Sequence, residues 1–239
     1  MIHPKGTTEA MRSLKRLPRV AYNFLKAYGP TSFKKYSWDK EYLAEKWHFA
    51  DNTAGDCVYP YLEKYLRNGR ILDLGCGSGN TSTELTYSVY QSYVGVDVSD
   101  AALNKARKRS RACGRDNKNQ FVCSDFFSYQ PTGEFDVILF RESLYHIPPA
   151  KIRSILDRYA AFLKDEGVFI VRLFSADMKT SVEKSRPMGM IRLIESQFDT
   201  IESCRYPEPG YPTVLVFRPY GRTSPAAEQK ENAVSVFRS

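Results

Sequence analysis

The segment Ile71-Leu72-Asp73-Leu74-Gly75-Cys76-Gly77-Ser78-Gly79 constrains this chain more than any other. An apolar run too short for a helix ends in alternating glycines, and a stretch with helical spacing opens at Asn80. Glycines at such a junction let the backbone turn tightly and let a ligand meet main-chain atoms with no Cβ between them. Strand, glycine turn and helix in that order predict a βα unit.

The same alternation recurs downstream. Residues 70–74, 92–97, 120–124, 135–140 and 168–174 are short, rich in β-branched or aromatic side chains and bounded by turn formers, which predicts five strands. Residues 80–89, 100–113, 149–163 and 182–197 carry apolar residues three and four apart and predict the intervening helices, with Ser99 or Asp100 capping the second. Residues 200–206 and 213–217 flank a run of prolines and glycine at 207–212, which predicts a hairpin of two antiparallel edge strands. The pattern is that of an α/β domain around a largely parallel sheet of seven strands.

Before this domain, Met11, Leu14, Leu17, Val20, Ala21, Phe24 and Leu25 fall on one helical face, with Pro18 starting or kinking the helix. An aromatic stretch follows, with Tyr28, Phe33, Tyr36, Trp38, Tyr42 and Trp47, and then a predicted helix over 56–66. Residues 1–55 are expected to form a helical lid, 56–220 the main domain, and 221–239 a polar, disordered tail. In the lid, Tyr36, Trp38, Tyr42 and Trp47 either cover a ligand or pack as core.

At 239 residues and 42% hydrophobic content the chain can bury one substantial core. Its first residues lack the apolar stretch of a secretory signal, and no run of about 18 apolar residues occurs, so a soluble, cytoplasmic location is expected. Five cysteines without a CxxC pair suggest reduced thiols, and three histidines at no ligand spacing suggest no metal site. The net charge of +8 is concentrated early: residues 1–46 hold ten Lys or Arg against four Asp or Glu, and residues 47–239 hold 25 against 23. Nucleic acid is therefore not the expected partner. Arg12, Lys15, Arg16, Arg19 and Lys26 are read first as a solvated face and second as a contact for an anionic membrane surface. Oligomeric state is not legible.

The glycine run departs from the dinucleotide-binding pattern, since its third glycine falls one position early. Asp73 beside it would repel a pyrophosphate, yet suits a ligand with an ammonium and a sulfonium group. Asp97 ends the second strand 20 residues after Gly77, where a carboxylate accepts ribose hydroxyls, and Val98 follows it. Asp125 ends the third strand, placed to accept from an adenine amino group, with Phe126 covering the ring. Arg141-Glu142-Ser143-Leu144-Tyr145-His146 follow the fourth strand, at the sheet end where reacting groups of a ligand belong.

With those elements in order, residues from about 56 to 219 resemble the class I S-adenosylmethionine-dependent methyltransferases, in particular the small-molecule branch with ubiquinone-type and natural-product enzymes. The resemblance implies a Rossmann-like fold and S-adenosylmethionine as cofactor. It assigns Asp73, Gly75 and Gly77 to the glycine-rich motif, Asp97 to the ribose, Asp125 to the adenine, and Arg141 to a position whose backbone faces the methionine moiety. Lys164-Asp165-Glu166-Gly167 stands where the family usually carries Pro-Gly. The Asn/Asp-Pro-Pro-Tyr/Phe motif of enzymes that methylate amino groups of bases or glutamine is missing, which points away from such acceptors.

The expected activity is methyl transfer to a small organic acceptor, with an oxygen nucleophile first. His146 is the candidate base, expected to titrate near about 6.5, and Glu142 and Tyr145 are candidates for orienting the acceptor. Alignment without a base remains the rival mechanism. Two other functions stay open: methylation of a macromolecule or membrane-associated saccharide, and donor binding without catalysis.

Overall fold

The structure is a computed structural model and describes residues 18–48, 53–174, 181–207 and 212–221. Seven strands form one sheet: β1 (Gly69–Leu74), β2 (Tyr90–Asp97), β3 (Asn119–Cys123), β4 (Phe135–Arg141), β5 (Leu163–Leu173), β6 (Asp199–Arg205) and β7 (Thr213–Arg218). Their order across the sheet is β3-β2-β1-β4-β5-β7-β6. β1 to β5 pair in parallel, and β7 runs antiparallel to both β5 and β6. The helices are α1 (Arg19–Tyr28), α2 (Thr31–Leu43), α3 (Tyr59–Leu66), α4 (Asn80–Glu84), α5 (Asp100–Ala112), α6 (Pro149–Ala160) and α7 (Ser181–Gln197).

The central strands are continuous apolar runs because helices cover both faces of the sheet. Leu72, Leu74, Ile138 and Phe140 meet Ile152 and Leu156 of α6 and Ile191 and Ile194 of α7. On the opposite face Ile71, Tyr93, Val137 and Leu139 meet Leu62 and Leu66 of α3 and Leu103 and Ala106 of α5. Alternation along a strand puts Asp73 on this second face, where Tyr93 meets it. The strand order changes direction between β1 and β4, and a crevice forms there at the carboxyl ends.

All seven predicted strands are present, and the differences have local causes. β7 inserts between β5 and β6, so only β6 of the expected edge pair lies at the edge. Val214 to Phe217 are fully buried, whereas β6 alternates partly and fully exposed residues. β5 starts at Leu163 rather than 168, because Leu163 pairs with Phe135, and this ends α6 at Ala160. The helix expected over 80–89 stops at Glu84 and resumes as one tight turn over Tyr87–Val89. Ser82 and Thr83 hydroxyls bond back to the Gly79 and Asn80 carbonyls, an arrangement that weakens a helix interior.

Pro18 precedes the first turn of α1, so it starts that helix. Lys26 leaves the expected solvated face: it pairs with Glu41 and lies 3.7 Å from the Trp38 ring centre. Burial lowers its pKa against the pull of Glu41. Positive charge is also less confined than the sequence totals suggested, since residues 104–118 hold seven Lys or Arg and one Asp, mostly along α5. Met11, Leu14, Leu17, Arg12, Lys15, Arg16 and the tail from 222 lie outside the described residues.

Candidate active site

A cavity of about 830 Å³ opens at the carboxyl ends of the parallel strands, toward the upper end of the ~300–1,000 Å³ usual for small-molecule sites. Its first wall is the glycine turn. Gly75 has φ +85°, and a Cβ there would lie 2.4 Å from the Ser143 Cβ, while Ser143 in turn hydrogen-bonds the Leu74 carbonyl. Gly77 has φ +54°, and a Cβ there would lie 2.7 Å from the Tyr42 hydroxyl. At Gly75 glycine meets both the left-handed backbone and the close approach of Ser143; at Gly77 the left-handed backbone favours it, and a side chain would displace the Tyr42 hydroxyl.

Asp97 lies between the turn and α5. One carboxylate oxygen accepts the Gly77 amide at 2.9 Å and the other the Ser99 amide at 2.8 Å. Burial raises its pKa, and these two backbone donors oppose that rise. Val98, Ser124, Asp125 and Phe126 continue the wall. Asp125 accepts the Phe127 and Ser128 amides, each at 2.9 Å, on one oxygen. Thr31 donates to the other, with Lys34 at 3.8 Å. Burial pushes Asp125 up, but the Thr31 and Ser128 hydrogen bonds and Lys34 bring it below the usual carboxylate range.

Asp73 is placed differently from its sequence-level neighbours. It is 1% exposed, lies beneath the glycine turn and does not reach the cavity wall. Tyr93 donates to one oxygen at 2.6 Å, and Thr81 and the more distant Arg141 also favour the charged form. Burial raises its pKa to about 6.

The far end of the cavity combines charge with aromatic surface. Arg141 and Arg172, ending β4 and facing it on β5, converge on Asp56, at 2.8 Å and 3.4 Å. Asp56 also accepts the Val58 amide before α3. Burial would raise Asp56, yet the two guanidinium groups win and hold it low. Glu142 has φ +56°, a backbone state that costs a non-glycine residue about 1–3 kcal/mol. In that state its amide donates to the Arg172 carbonyl and its carboxylate accepts from Arg172 and from the Tyr145 hydroxyl at 2.6 Å.

His146 sits in the short turn Leu144–His146 with its ring edge-on to Trp38 and Tyr145, at 5.2 and 5.0 Å between centres. Burial lowers its pKa to about 4, helped by Lys26 and Lys34. The sequence expectation of about 6.5 neglected this desolvation. The ring is therefore neutral through the physiological range.

α2 closes the cavity from above with Lys34, Trp38 and Tyr42, and Trp47 follows it. Tyr36 instead borders a small groove with Leu43. α2 is fixed to the main domain through Asp39, which accepts the Ser99 hydroxyl at 2.7 Å and the Ala101 amide at 2.9 Å. Gly75, Gly77, Asp97, Val98, Asp125, Phe126, Arg141, Glu142, Tyr145 and His146 thus share one cavity. Sequence reasoning missed Arg172, Asp56 and Lys34. Arg172 had a readable signal, as a lone charge near the carboxyl end of an apolar strand; Asp56 was taken only as a helix start, and Lys34 had none.

The mostly parallel sheet with its reversed seventh strand, and the cavity at its switch point, define a Rossmann-like α/β domain. The chain belongs to the methyltransferase-domain family, whose model matches residues 46–209. Among related sequences, the sterol 24-C-methyltransferase of Pneumocystis carinii is 26% identical over 64% of this chain and 40% of its own length. A ubiquinone biosynthesis O-methyltransferase of Thiobacillus denitrificans is 33% identical over 36% of this chain and 38% of its own length. The chain thus spans about half of these relatives or less. Among solved structures, the N-methyltransferase NodS of Bradyrhizobium japonicum with S-adenosyl-L-homocysteine superposes with TM-score 0.60 at 17% identity, covering 78% of this chain and 98% of that one. The 1,6-didemethyltoxoflavin-N1-methyltransferase of Burkholderia thailandensis, crystallised with 1,6-didemethyltoxoflavin and S-adenosylhomocysteine, gives 0.61 at 17% identity, covering 92% and 93%.

Proposed function

We propose that this chain transfers a methyl group from S-adenosylmethionine to a small organic acceptor, with an oxygen nucleophile as first choice. One observation carries the reading: a single cavity joins the glycine turn and the acids of β2 and β3 to an aromatic, charged chamber beyond them. The first half fits the donor, since Gly75 and Gly77 leave room for main-chain contact and Asp97 is fixed by backbone amides beside it. The second half fits an acceptor with planar or apolar surface, walled by Trp38, Trp47, Tyr145 and Phe174. The names of the relatives, which span sterol and ubiquinone methyltransferases, support small acceptors without choosing among them.

Bound S-adenosylmethionine supplies an electrophilic methyl carbon on a sulfonium that leaves as a neutral thioether. The chain's own residues do the rest. Asp97 would accept from the ribose hydroxyls and Phe126 would cover the adenine. Asp125 already has Thr31 and Lys34 on one oxygen, so an adenine amino group shares that carboxylate with α2. Asp73, buried beneath the turn, favours cationic groups from a distance and supports the loop. Arg172 and Tyr145 hold Glu142, which keeps the chamber floor in place for the acceptor. His146, neutral and lining the chamber, would accept a hydrogen bond from the acceptor hydroxyl. It would take the proton only as the methyl–sulfur bond breaks and the oxygen–methyl bond forms, when the acceptor oxygen has become acidic; its low pKa makes it a weak base before that point.

The test is donor titration followed by turnover with a panel of phenolic, catecholic, amine and carbon acceptors. The reading expects S-adenosylhomocysteine binding, and S-adenosylhomocysteine release only when a suitable acceptor is present. Absence of donor binding in the folded protein sinks it. Donor binding with no product across the panel favours a non-catalytic module.

A further inference from the structure

α1 buries none of its residues. Val20 is 81% exposed and Phe24 61%, and four residues apart they share one face. α1 contains no acid, and its one inward-turning cation is Lys26. The exposed charges of α1, α2 and the turn after them are Arg19, Lys40 and Lys46 against Glu45. The same two-helix unit roofs the cavity through Lys34, Trp38 and Tyr42.

Exposed apolar side chains on a two-helix unit whose exposed charges are net positive, with Arg19 next to Val20, mark a contact surface rather than a solvated face. A nucleic acid would engage the cations and leave Val20 and Phe24 wet. A second copy would cover the apolar pair but bring like charges together. An anionic bilayer satisfies both sets at once, because apolar side chains enter the acyl boundary while Lys and Arg stay among the headgroups. No helix among the described residues is long and apolar enough to cross a membrane, so the contact is interfacial.

We propose that α1 docks this chain on an anionic phospholipid surface, with Val20 and Phe24 entering the interface and Arg19 at the headgroups. This placement holds the roof of the cavity beside the lipid and does not depend on what the cavity binds.

The full chain is sedimented with vesicles of phosphatidylcholine and with equimolar phosphatidylcholine and phosphatidylglycerol. Sedimentation with the anionic vesicles, reversed by salt, is expected. The double variant Val20→Ser, Phe24→Ser should weaken this partition at least about tenfold. Neither residue belongs to the core, so the variant should keep the wild-type circular dichroism spectrum, and that spectrum is the check on folding. A wild-type chain that stays in the supernatant with both vesicles overturns the proposal, as does equal binding to neutral vesicles. Equal sedimentation of the double variant overturns it too. Concentration-dependent dimerisation that the double variant abolishes, without vesicle binding, assigns the face to a second copy instead.

Discussion

Substituting Asp73 by Asn tests whether the glycine turn rests on a buried charge. The side chain is 1% exposed and one oxygen holds the Tyr93 hydroxyl, but this bond and the Thr81 and Arg141 contributions do not offset the burial of the charge. Burial lifts its pKa from 3.8 to about 6. The native state therefore binds a proton more tightly than the unfolded chain between those values. Stability from this group is full below about pH 3.8, falls as pH rises through the window, and is level above about 6. At about 1.36 kcal/mol per pKa unit the loss is about 3 kcal/mol. Asn keeps an acceptor for Tyr93 and removes the charge. Urea unfolding followed by circular dichroism at about pH 4 and about pH 7 should show Asp73→Asn gaining on the wild type by up to about 3 kcal/mol as pH rises. The comparison cancels the other titrating groups. A difference that is the same at both pH values refutes the argument and means the Asp73 charge is neutralised by something other than a proton.

Asp97→Ala should weaken S-adenosylhomocysteine binding by about 1.5–3 kcal/mol with the fold intact; calorimetric titration reads this, and unchanged affinity removes Asp97 from the site. His146→Ala should lower turnover on the true acceptor by roughly 100-fold while donor affinity stays constant. With His146 held near about 4, the wild-type rate should rise through that value and be level from about pH 5.5 to 8; an acid limb near 6.5, or no loss in the variant, counts against it. Residues 19–43 should gain amide protection when S-adenosylhomocysteine binds, because Asp125 links α2 to the half of the cavity proposed to hold the donor. Asp39→Ala should reduce that protection by removing the acceptor at the start of α5. Hydrogen exchange that is insensitive to both would make α1 and α2 fixed scaffold.

Sequence alone determined the strands, most of the helices and the glycine-and-acid wall of the cavity, because each is a local property; it did not show the helix over Thr31–Leu43 or the early ends of α4 and α6. An apolar run, a glycine turn and a terminal acid lie within a few residues of one another, and a parallel sheet forces their carboxyl ends to one side. Gly75, Gly77, Asp97 and Asp125 follow from that rule. The tertiary structure decided whatever depends on segments far apart in the chain. It put β7 inside β6, since an antiparallel hairpin can add to an edge in either order and local pattern does not choose. It sank Asp73 below the turn and brought Asp56 to Arg141 and Arg172 across 85 and more residues. It also moved His146 from a histidine titrating near neutrality to one held near about 4, by setting Trp38, Lys26 and Lys34 of a separate helical unit around it. Desolvation and charge depend on everything within a few ångströms, whatever its place in the sequence, so the chemistry of the aromatic, charged end of the cavity became readable only once the chain was folded.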